Sequence, residues 1–341
     1  MAKVAINGFG RIGRTFFRLA YGHPDIEIVA VNDLGSIENL AYLLTYDSVY
    51  GRSPFEVKVD GKDLLVDGKR ITFCQEKEPS ALPWGSLGID VVMESTGFFT
   101  TYVGSKKHLD AGAKKVVISA PVSDNPSDAG VAGATVLMGV NEDKLTTCQI
   151  TSNASCTTNA TSPLVAILKE AIGIEKALLN TTHAYTASQS LVDGPSKKEF
   201  RDGRAAAINI IPSSTGAAKA TTKAHPELAG KFDGIAIRVP VPVGSLLDLT
   251  FVSSRDTTVE EVNAALIKAS TDPRWKNIFT ATDEPLVSSD IIGSRIGSIA
   301  DLSFTRVVGG NLVKVFAWYD NETSYTQTLV EHVAAAARAI K

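Results

Sequence analysis

The sequence has little cysteine, no long apolar run and no excess of charge of one sign. Three cysteines stand far apart in 341 residues, an odd number that indicates reduced thiols and excludes a disulfide framework. No apolar run approaches the ~20 residues that a membrane-spanning helix needs, so we expect no membrane span. A net charge of −3 gives no overall attraction to nucleic acid or to a membrane surface.

Metal-binding motifs and targeting segments are also missing from the sequence. No Cys/His spacing is typical of a metal site, so we expect no metal. Residues 4–6 already form an apolar strand, which leaves no room for a signal peptide. Together with reduced thiols, this predicts a cytoplasmic protein. The chain is long enough for two domains, and its 44% apolar and 21% charged residues are ordinary for a globular protein.

A glycine-rich motif follows the first predicted strand. Gly8, Gly10 and Gly13 fit the pattern G-x-G-x-x-G, a helical pattern comes next, and Asp33 ends the second predicted strand 20 residues after Gly13. In this context the glycines permit a tight turn and close approach to a pyrophosphate, while the acid accepts hydrogen bonds from the ribose. The motif therefore predicts a dinucleotide-binding Rossmann domain.

A single cysteine lies in the segment Ser-Asn-Ala-Ser-Cys-Thr-Thr-Asn at residues 152–159. Cys156 stands where a helix is predicted to begin, and unpaired N–H groups at a helix N-terminus favour a thiolate. His183 ends a predicted strand that follows this helix, so it can act as the base for a nucleophilic thiol. The alternative interpretations are a small buried apolar residue and a hydrogen-bonded histidine without catalytic role.

The order of predicted elements changes near residue 150. Before it, strands such as 90–93, 115–118 and 135–138 alternate with helices, apart from hairpins over residues 54–74, as in a parallel sheet. After it, long β-rich runs favour antiparallel pairing, and residues 326–340 form a last helix. We interpret Cys74 and Cys148 as strand residues with packing roles. The predicted class is α/β: a Rossmann dinucleotide-binding domain plus an α+β catalytic domain with a mainly antiparallel sheet.

Further motifs resemble one family along nearly the whole chain. They are Ala-Ile-Asn-Gly-Phe-Gly-Arg-Ile-Gly-Arg at 5–14, Glu-Ser-Thr-Gly at 94–97, the cysteine segment at 152–159, Thr-Gly-Ala-Ala-Lys at 215–219 and Trp-Tyr-Asp-Asn-Glu at 318–322. The sequence resembles glyceraldehyde-3-phosphate dehydrogenase of the phosphorylating, NAD-dependent type. The resemblance implies an NAD-binding domain over 1–153, joined by a C-terminal helix at 320–341, and a catalytic domain over 154–319.

The resemblance also implies an activity and an assembly. The family oxidises D-glyceraldehyde 3-phosphate to 1,3-bisphosphoglycerate with inorganic phosphate and NAD⁺, as a homotetramer in glycolysis and gluconeogenesis. The implied nucleophile is Cys156, which forms a thiohemiacetal and then an acyl-thioester, and the implied base is His183.

Other site residues are implied only by the resemblance and by matching motif positions. The residues expected to bind substrate and phosphate are Ser155, Thr157, Thr186, Arg201, Thr215, Gly216 and Arg238. The residues expected to bind NAD are Gly8, Gly10, Arg11, Ile12, Gly13, Asp33, Lys77, Thr96, Ser119, Asn321 and Tyr325.

Some positions depart from the family pattern, and two other functions remain open. Ala160 replaces a second cysteine that many members have, Tyr50 replaces a histidine, and Ser324 replaces a glycine just before Tyr325. The alternatives are an erythrose-4-phosphate dehydrogenase, which uses water as the acceptor, and a non-catalytic NAD-responsive binding protein. The intact Cys156 and His183 argue against the latter, and the absence of a basic stripe gives no indication of nucleic acid binding.

Overall fold

The computed structural model describes residues 1–196 and 199–340. The chain divides into two compact units. The first comprises Met1–Ala154 together with the chain from Thr326 onward, and the second comprises Ser155–Tyr325. Lys341, which the expected C-terminal segment 320–341 includes, lies outside the described residues.

The first unit is built around a large, mostly parallel sheet. Its elements are β1 (Ala2–Asn7), α1 (Arg11–Ala20), β2 (Ile26–Asn32), α2 (Ile37–Thr45), β3 (Tyr46–Asp47), β4 (Gly51–Arg52), β5 (Val57–Asp60), β6 (Asp63–Val66), β7 (Lys69–Cys74), α3 (Trp84–Leu87), β8 (Val91–Glu94), α4 (Tyr102–Asp110), β9 (Lys115–Ile118), α5 (Pro126–Ala129), β10 (Gly133–Thr135) and β11 (Ile150–Ser152). The strand order is β10-β11-β9-β8-β1-β2-β7-β6-β5. Pairs from β10 to β7 are parallel, whereas β5, β6 and β7 pair antiparallel at the edge.

The position of β1 in this order creates a place for a ligand. β1 pairs with β2 on one side and with β8 on the other, so the chain winds away from β1 in both directions. In such sheets a crevice opens at the carboxyl ends of the strands where the order reverses. The interior of β1 is closed by apolar packing, since Val4, Ala5 and Ile6 are fully buried. The parallel sheet of a Rossmann domain, predicted for this unit, is confirmed.

Two local predictions in this unit hold and two are wrong. The hairpins after residue 54 are present, and Asp67 (φ +46°) and Gly68 (φ +76°) form the turn. The strand predicted at 135–138 ends at Thr135, because Leu137 donates its N–H to the Asn141 side chain (2.8 Å) in place of a strand partner. Cys148 also lies outside the strands, since its N–H closes a turn onto the carbonyl of Lys144 (3.0 Å).

The second unit contains a sheet with helices on one face. Its elements are α6 (Cys156–Ile172), β12 (Lys176–Ala184), β13 (Ile211–Ser214), α7 (Ala217–Ala224), β14 (Phe232–Val239), β15 (Ser245–Val252), α8 (Val259–Ser270), β16 (Phe279–Thr282), β17 (Ser298–Val308), β18 (Leu312–Tyr319) and α9 (Thr323–Arg338), which continues into the first unit. The strand order is β13-β14-β12-β15-β18-β17-β16. Four of these pairs are antiparallel and two, β12 with β14 and β16 with β17, are parallel, which confirms a mainly antiparallel sheet.

The C-terminal part of α9 packs within the first unit. The ring of His332 lies between the Thr151 hydroxyl (2.8 Å) and the Asn153 side-chain oxygen (3.0 Å). Arg338 also forms an ion pair with Asp25. These contacts attach the last helix to β11, to the residues that follow it and to the segment just before β2.

Candidate active site

Cys156 occupies the first position of α6. Ser155 is the N-cap, and its hydroxyl accepts a hydrogen bond from the N–H of Thr158 (3.2 Å). Ala154, just before the cap, has a left-handed backbone with φ +55°, which costs an L-residue about 1–2 kcal/mol. The chain therefore turns sharply out of β11 and presents the cysteine, still partly exposed, at the start of the helix.

The structure brings the predicted nucleophile and base together. The Sγ atom of Cys156 lies 3.3 Å from Nε2 of His183. His183 is the eighth residue of β12 and is 3% exposed, so few other orientations of its ring are open. The ring also packs edge-on against Tyr319, with centroids 5.9 Å apart. This is the geometry required of a thiol and a neighbouring base.

Arg238 lies on the opposite side of the same imidazole. β12 and β14 are parallel and pair His183 with Arg238 in register, so both side chains are neighbours on one face of the sheet. The Arg238 NH1 group lies 2.6 Å from Nδ1 of His183 and donates to the carbonyl of Ala184 (3.0 Å). One ring thus contacts a thiol on one nitrogen and a guanidinium on the other.

The surroundings of the pair shift the pKa of both His183 and Cys156. Burial and the positive charge of Arg238 lower the pKa of His183 to about 3. Burial raises the pKa of the Cys156 thiol, although Arg238 and hydrogen bonds from Thr157 act in the opposite direction. Loss of hydration is the largest of these influences on the Cys156 pKa, and it acts against the thiolate that the helix N-terminus favours.

The residues expected to hold anions lie on several elements of the second unit. Thr157 is buried, and its hydroxyl is bonded to the Tyr319 hydroxyl (3.0 Å). Thr186 follows β12 and contacts Ser188 (2.9 Å), while Arg201 is exposed in a 3₁₀ turn. Gly216 is the N-cap of α7, and the preceding Thr215 accepts a hydrogen bond from the N–H of Ala217 (3.2 Å).

The register of β13 separates two of these groups. Ile211 of β13 pairs with Arg238, whereas Ser214, next to Thr215, pairs with Ile235 at the other end of the shared segment. Thr215 therefore lies several residues along the strand from Arg238. The structure does not place these two side chains at one point.

A cavity of about 580 Å³ opens at the carboxyl ends of β1, β2 and β8. Five of the predicted cofactor residues line it, namely Gly8, Gly10, Asp33, Lys77 and Thr96. A Cβ at Gly8 would lie 2.6 Å from the backbone nitrogen of Thr96, and one at Gly13 would lie 2.1 Å from the carbonyl oxygen of Gly8. A Cβ at Gly10 would meet no protein atom within 4 Å, so this glycine faces open space. No side chain caps α1 at Gly10, which suits an anion at the helix N-terminus.

Asp33 lines the cavity and also fixes the backbone at its edge. Its carboxylate accepts hydrogen bonds from the N–H of Phe9 (2.7 Å) and of Gly35 (2.8 Å). The acid is therefore fixed next to the glycine-rich turn. A carboxylate in this position can also accept hydrogen bonds from ribose hydroxyls.

The other predicted cofactor residues lie outside this lining. Within the first unit they are Arg11, which is paired with Asp47 (3.1 Å), Ile12, Gly13 and Ser119, whose N–H bonds the Glu94 carbonyl (2.8 Å). Asn321 and Tyr325 belong to the second unit and are buried. The Asn321 side-chain oxygen accepts from the N–H of Gly244 (3.1 Å) and the hydroxyl of Ser245 (3.3 Å).

Sequence reasoning missed a buried polar network beneath the cavity. The Glu94 carboxylate accepts hydrogen bonds from the Asn7 amide (2.5 Å), the Thr96 N–H (2.7 Å) and the ring of His108 (3.0 Å). Nδ1 of His108 accepts in turn from the indole of Trp84 (3.0 Å). These polar residues are far apart in sequence, so no local pattern indicates that they meet.

Two exposed apolar side chains at the cavity were also missed. Leu34 is 60% exposed and Phe98 is 87% exposed, and both line the cavity. Large exposed apolar groups on a cavity wall are typical of a site for a flat ring. Their signal in the sequence is only that each directly follows a predicted binding segment.

Neither a metal site nor a membrane span is found in the part of the chain that the structure describes. No group of three or more His, Cys, Asp and Glu side chains is placed to hold a metal ion. No described helix has both the length and the apolar character needed to cross a membrane.

Comparison with known proteins gives the family directly. The model for the glyceraldehyde 3-phosphate dehydrogenase NAD binding domain matches residues 2–102, and the model for the C-terminal domain of the same family matches 155–321. Glyceraldehyde-3-phosphate dehydrogenase 1 of Bacillus subtilis is 48% identical over 338 residues, covering 98% of both chains. The chain belongs to the glyceraldehyde-3-phosphate dehydrogenase family. The enzymes of Geobacillus stearothermophilus (97% of each chain) and Mycobacterium avium (99% of each) are both 49% identical to it.

Membership in the glyceraldehyde-3-phosphate dehydrogenase family puts the departures of this chain in context. Ser324 stands where the family pattern has glycine, but here it lies in the first turn of α9 and needs no left-handed backbone. Its hydroxyl donates to the carbonyl of Ser294 (3.0 Å) and accepts from the N–H of Asp320 (3.0 Å). The serine therefore stabilises the start of the helix just before Tyr325. Ala160, in place of a cysteine, is fully buried in α6.

Proposed function

We propose that this chain oxidises D-glyceraldehyde 3-phosphate to 1,3-bisphosphoglycerate with NAD⁺ and inorganic phosphate. The observation that carries the proposal is the 3.3 Å contact between Cys156 Sγ and His183 Nε2, in a chain whose first unit matches an NAD binding domain. The relatives from Bacillus subtilis and Geobacillus stearothermophilus are glyceraldehyde-3-phosphate dehydrogenases by name. Thiol chemistry suits an aldehyde, because thiolate is both a strong nucleophile and a good leaving group.

The roles of the two central residues follow from their contact. The Cys156 sulfur attacks the aldehyde carbon and forms a C–S bond, giving a thiohemiacetal. His183, within hydrogen-bond reach of the sulfur, takes the proton of the hemiacetal hydroxyl as a general base. The chemistry that bound NAD⁺ supplies is a two-electron oxidation, which leaves an acyl-thioester on Cys156.

Release of the acyl group requires a second anion. Inorganic phosphate attacks the thioester carbon, the C–S bond breaks, and the product leaves as an acyl phosphate. The substrate phosphate and the attacking phosphate need hydroxyl, backbone N–H and guanidinium donors. We assign these contacts to Arg238, with Thr186 and Arg201 as further donors, and to Ser155, Thr157, Thr215 and Gly216. The separation of Thr215 from Arg238 along β14 supports two anion positions.

The residues around the cavity of the first unit fit NAD. We assign the pyrophosphate to the N-terminus of α1, with Gly8, Gly10, Arg11, Ile12 and Gly13, because Gly10 faces open space and Gly8 and Gly13 admit no Cβ. Asp33 would bind the adenosine ribose, and Lys77, Thr96 and Ser119 would line the cleft. Asn321 and Tyr325 would serve the nicotinamide end.

The activity is tested directly by the absorbance of NADH. We expect NADH to form from glyceraldehyde 3-phosphate and NAD⁺ only when phosphate is present. The matched control replaces the triose with erythrose 4-phosphate, with and without phosphate. A faster reaction with the tetrose, or a rate independent of phosphate, would favour the alternative dehydrogenase, and no reaction with either aldehyde would reject an enzymatic function.

We predict a preference for NAD⁺ over NADP⁺ that depends on Asp33. Two anions close together at partial exposure repel by about 1–4 kcal/mol, so kcat/KM should favour NAD⁺ by roughly ten- to several-hundred-fold. No lysine or arginine follows Asp33 in Leu-Gly-Ser-Ile at 34–37. The resemblance also implies that Pro195 lies on the loop that approaches a neighbouring subunit's ribose, where it lacks the hydroxyl of members that accept NADP. Asp33→Gly should narrow the ratio, measured as kcat/KM for both cofactors.

The contacts of Asp33 call for a second variant. Asp33→Gly also removes the acceptor for the N–H groups of Phe9 and Gly35, so it can loosen the glycine-rich turn. Asp33→Asn keeps the shape and one acceptor oxygen while it removes the charge. A ratio that is unchanged in both variants would show that Asp33 does not set the choice of cofactor.

We further propose a homotetramer. One face of the sheet in the second unit carries exposed apolar residues, namely Leu178 (66% exposed), Ile235 (56%), Phe304 (49%) and Leu312 (44%). In β12 the neighbours Ala177 and Leu179 are buried, so Leu178 points away from the core. Apolar surfaces of this kind are typical of subunit interfaces.

Light scattering should therefore give about four times the 36.2 kDa of one chain. Leu178→Asp is expected to lower this mass, because it places a charge in the apolar face. Ile267→Asp is the matched control, since Ile267 is also half-exposed (51%) but lies on helix α8. A mass of one chain for the unaltered protein would contradict the assembly.

We also infer a cytoplasmic location. Cys74, Cys148 and Cys156 are all free thiols in the structure, which supports a reducing compartment.

A further inference from the structure

The glycine-rich turn leaves one of the backbone donors of residues 8–10 without a partner. The Gly8 N–H donates to the carbonyl of Asn32 (2.8 Å), and the Phe9 N–H donates to the Asp33 carboxylate (2.7 Å). In the part of the chain that the structure describes, the Gly10 N–H has no hydrogen-bond partner, and Gly10 is exposed at the cavity. A free backbone donor at a helix N-terminus is available to a ligand.

Arg14 fixes the direction of this N–H group. Side chains of an α-helix lean towards its N-terminus, and Arg14, one turn into α1, reaches back to donate from NH1 to the Phe9 carbonyl (2.7 Å). None of the described peptide bonds is cis, and in a trans peptide the N–H points opposite to the C=O. Because the Phe9 carbonyl faces the buried Arg14, the Gly10 N–H of the same peptide points away from the interior.

The guanidinium of Arg14 is buried with no carboxylate bound to it. The residue is 9% exposed, its Nε atom has no hydrogen-bond partner, and among the described residues it forms no ion pair. Burial is the main cause that lowers the pKa of Arg14. The charged groups that act on it are two guanidiniums and two carboxylates, those of Arg11, Arg18, Asp47 and Asp33. One positive charge is left in excess, and an anion at the start of α1 would offset it.

We propose that Arg14 is a positioning residue for the cofactor: it holds the Phe9 carbonyl inward, so that the Gly10 N–H faces the pyrophosphate of NAD⁺. The inference rests on the proposed function, which assigns the pyrophosphate to the start of α1. Arg14 is not among the residues that line the cavity, so it acts through the backbone of the turn and through its charge.

Dissociation constants for three ligands test this role in the full-length protein. The ligands are NAD⁺, ADP and adenosine, measured by titration calorimetry, with adenosine in competition against NAD⁺. In Arg14→Met we expect Kd for NAD⁺ and ADP to rise about tenfold or more, the size of one lost hydrogen bond to a charged group, and Kd for adenosine to change less than about twofold. Equal weakening of all three ligands would indicate a general loss of the cavity and would overturn the inference, as would an unchanged Kd for NAD⁺.

Arg18→Met is the matched control. It removes the same charge from the same helix, but Arg18 donates to the carbonyls of Leu44 (2.8 Å) and Gly51 (3.2 Å), outside the glycine-rich turn. Its Kd for NAD⁺ should stay within about threefold of the original. The unfolding temperature without ligand is measured for every variant. If Arg14→Met does not fold, Arg14→Gln carries the same comparison, because it removes the charge but keeps a polar group in the buried site.

A conservative variant separates the hydrogen bond from the shape of the side chain. Arg14→Lys keeps a positive charge and a donor for the Phe9 carbonyl, so its Kd for NAD⁺ should lie between those of the unaltered protein and Arg14→Met. An Arg14→Lys protein that binds NAD⁺ no better than Arg14→Met would assign the loss to packing of the guanidinium and would overturn the positioning role.

A variant of Gly10 tests the position of the pyrophosphate independently. Gly10 has φ −66° and ψ −162°, and a Cβ there would meet no protein atom within 4 Å, so Gly10→Ala suits the fold without ligand. We expect it to weaken NAD⁺ and ADP but not adenosine. If Kd for NAD⁺ is unchanged in Gly10→Ala, the pyrophosphate lies elsewhere, and this part of the proposed function fails. If Gly10→Ala weakens NAD⁺ and Arg14→Met does not, the pyrophosphate site stands and the role of Arg14 alone is overturned.

Discussion

Cys156→Ser is expected to lower kcat/KM by several orders of magnitude while NAD⁺ still binds. A serine hydroxyl ionises far less readily than a thiol and is a poorer leaving group, so both formation and release of the acyl intermediate suffer. The cavity assigned to NAD lies within the first unit and is lined by none of the residues of α6. Steady-state kinetics and the dissociation constant for NAD⁺ check the two parts of this expectation.

The other cysteines provide matched controls for this prediction. Cys74 and Cys148 are 82 and 8 residues before Cys156 in the sequence and make no contact with His183 in the described structure. Cys74→Ser and Cys148→Ser should retain activity, and iodoacetamide should modify Cys156 first, because Cys156 contacts a base, His183, that can take its proton, whereas Cys148 is buried. A Cys156→Ser variant that turns over, or equal labelling of all three thiols, would reject the assignment of the nucleophile.

The glycine-rich turn and the start of α6 could be predicted because their signals are local. Gly8 has a left-handed backbone (φ +94°), Gly13 lies against the carbonyl of nearby Gly8, and Gly10 faces open space, and each leaves a pattern in the sequence. The N-cap at Ser155 likewise depends on neighbouring residues. Both features are decided by backbone geometry over one or two turns.

The contacts that determine the chemistry could not be predicted in the same way. His183 lies between Cys156 and Arg238 because three elements, separated by 27 and 55 residues, meet in one register. A shift of one residue between β12 and β14 would turn Arg238 to the other face of the sheet. The raised pKa of Cys156 is also a result of burial, which depends on tertiary packing and not on the helix N-terminus alone.

The network under the cavity shows the same limit in the first unit. Asn7, Glu94 and His108 are each unremarkable in sequence, since a lone buried polar residue is usually satisfied by its nearest backbone. In the structure Asn7 and His108 both bind the carboxylate of Glu94, which also accepts a hydrogen bond from the N–H of Thr96 at the cavity wall. The predicted role of Thr96 thus depends on partners that only the strand order brings together.

His183→Asn is expected to lower kcat by about 10²–10⁴-fold, the usual cost of losing a general base. An amide cannot take the proton of the thiol or of the hemiacetal hydroxyl, although its oxygen can still accept from Arg238. KM for NAD⁺ should stay close to that of the unaltered enzyme, because no atom of His183 lines the cavity. Steady-state kinetics with each substrate varied in turn check that kcat falls while KM for NAD⁺ does not change.

A second histidine makes the control for this substitution. His225 is as buried as His183 (2% and 3% exposed) and lies in the same unit, where it contacts the Ser162 hydroxyl (3.2 Å) and is not hydrogen-bonded to Cys156. His225→Asn therefore reports the effect of losing a buried imidazole on folding, with kcat expected within a few-fold of the original. If both variants lose turnover equally, the loss at His183 reflects stability and not proton transfer. If His183→Asn keeps more than about a tenth of the turnover, the loss is smaller than the usual contribution of a general base. In that case positioning by α6 and the anion sites is sufficient without a base.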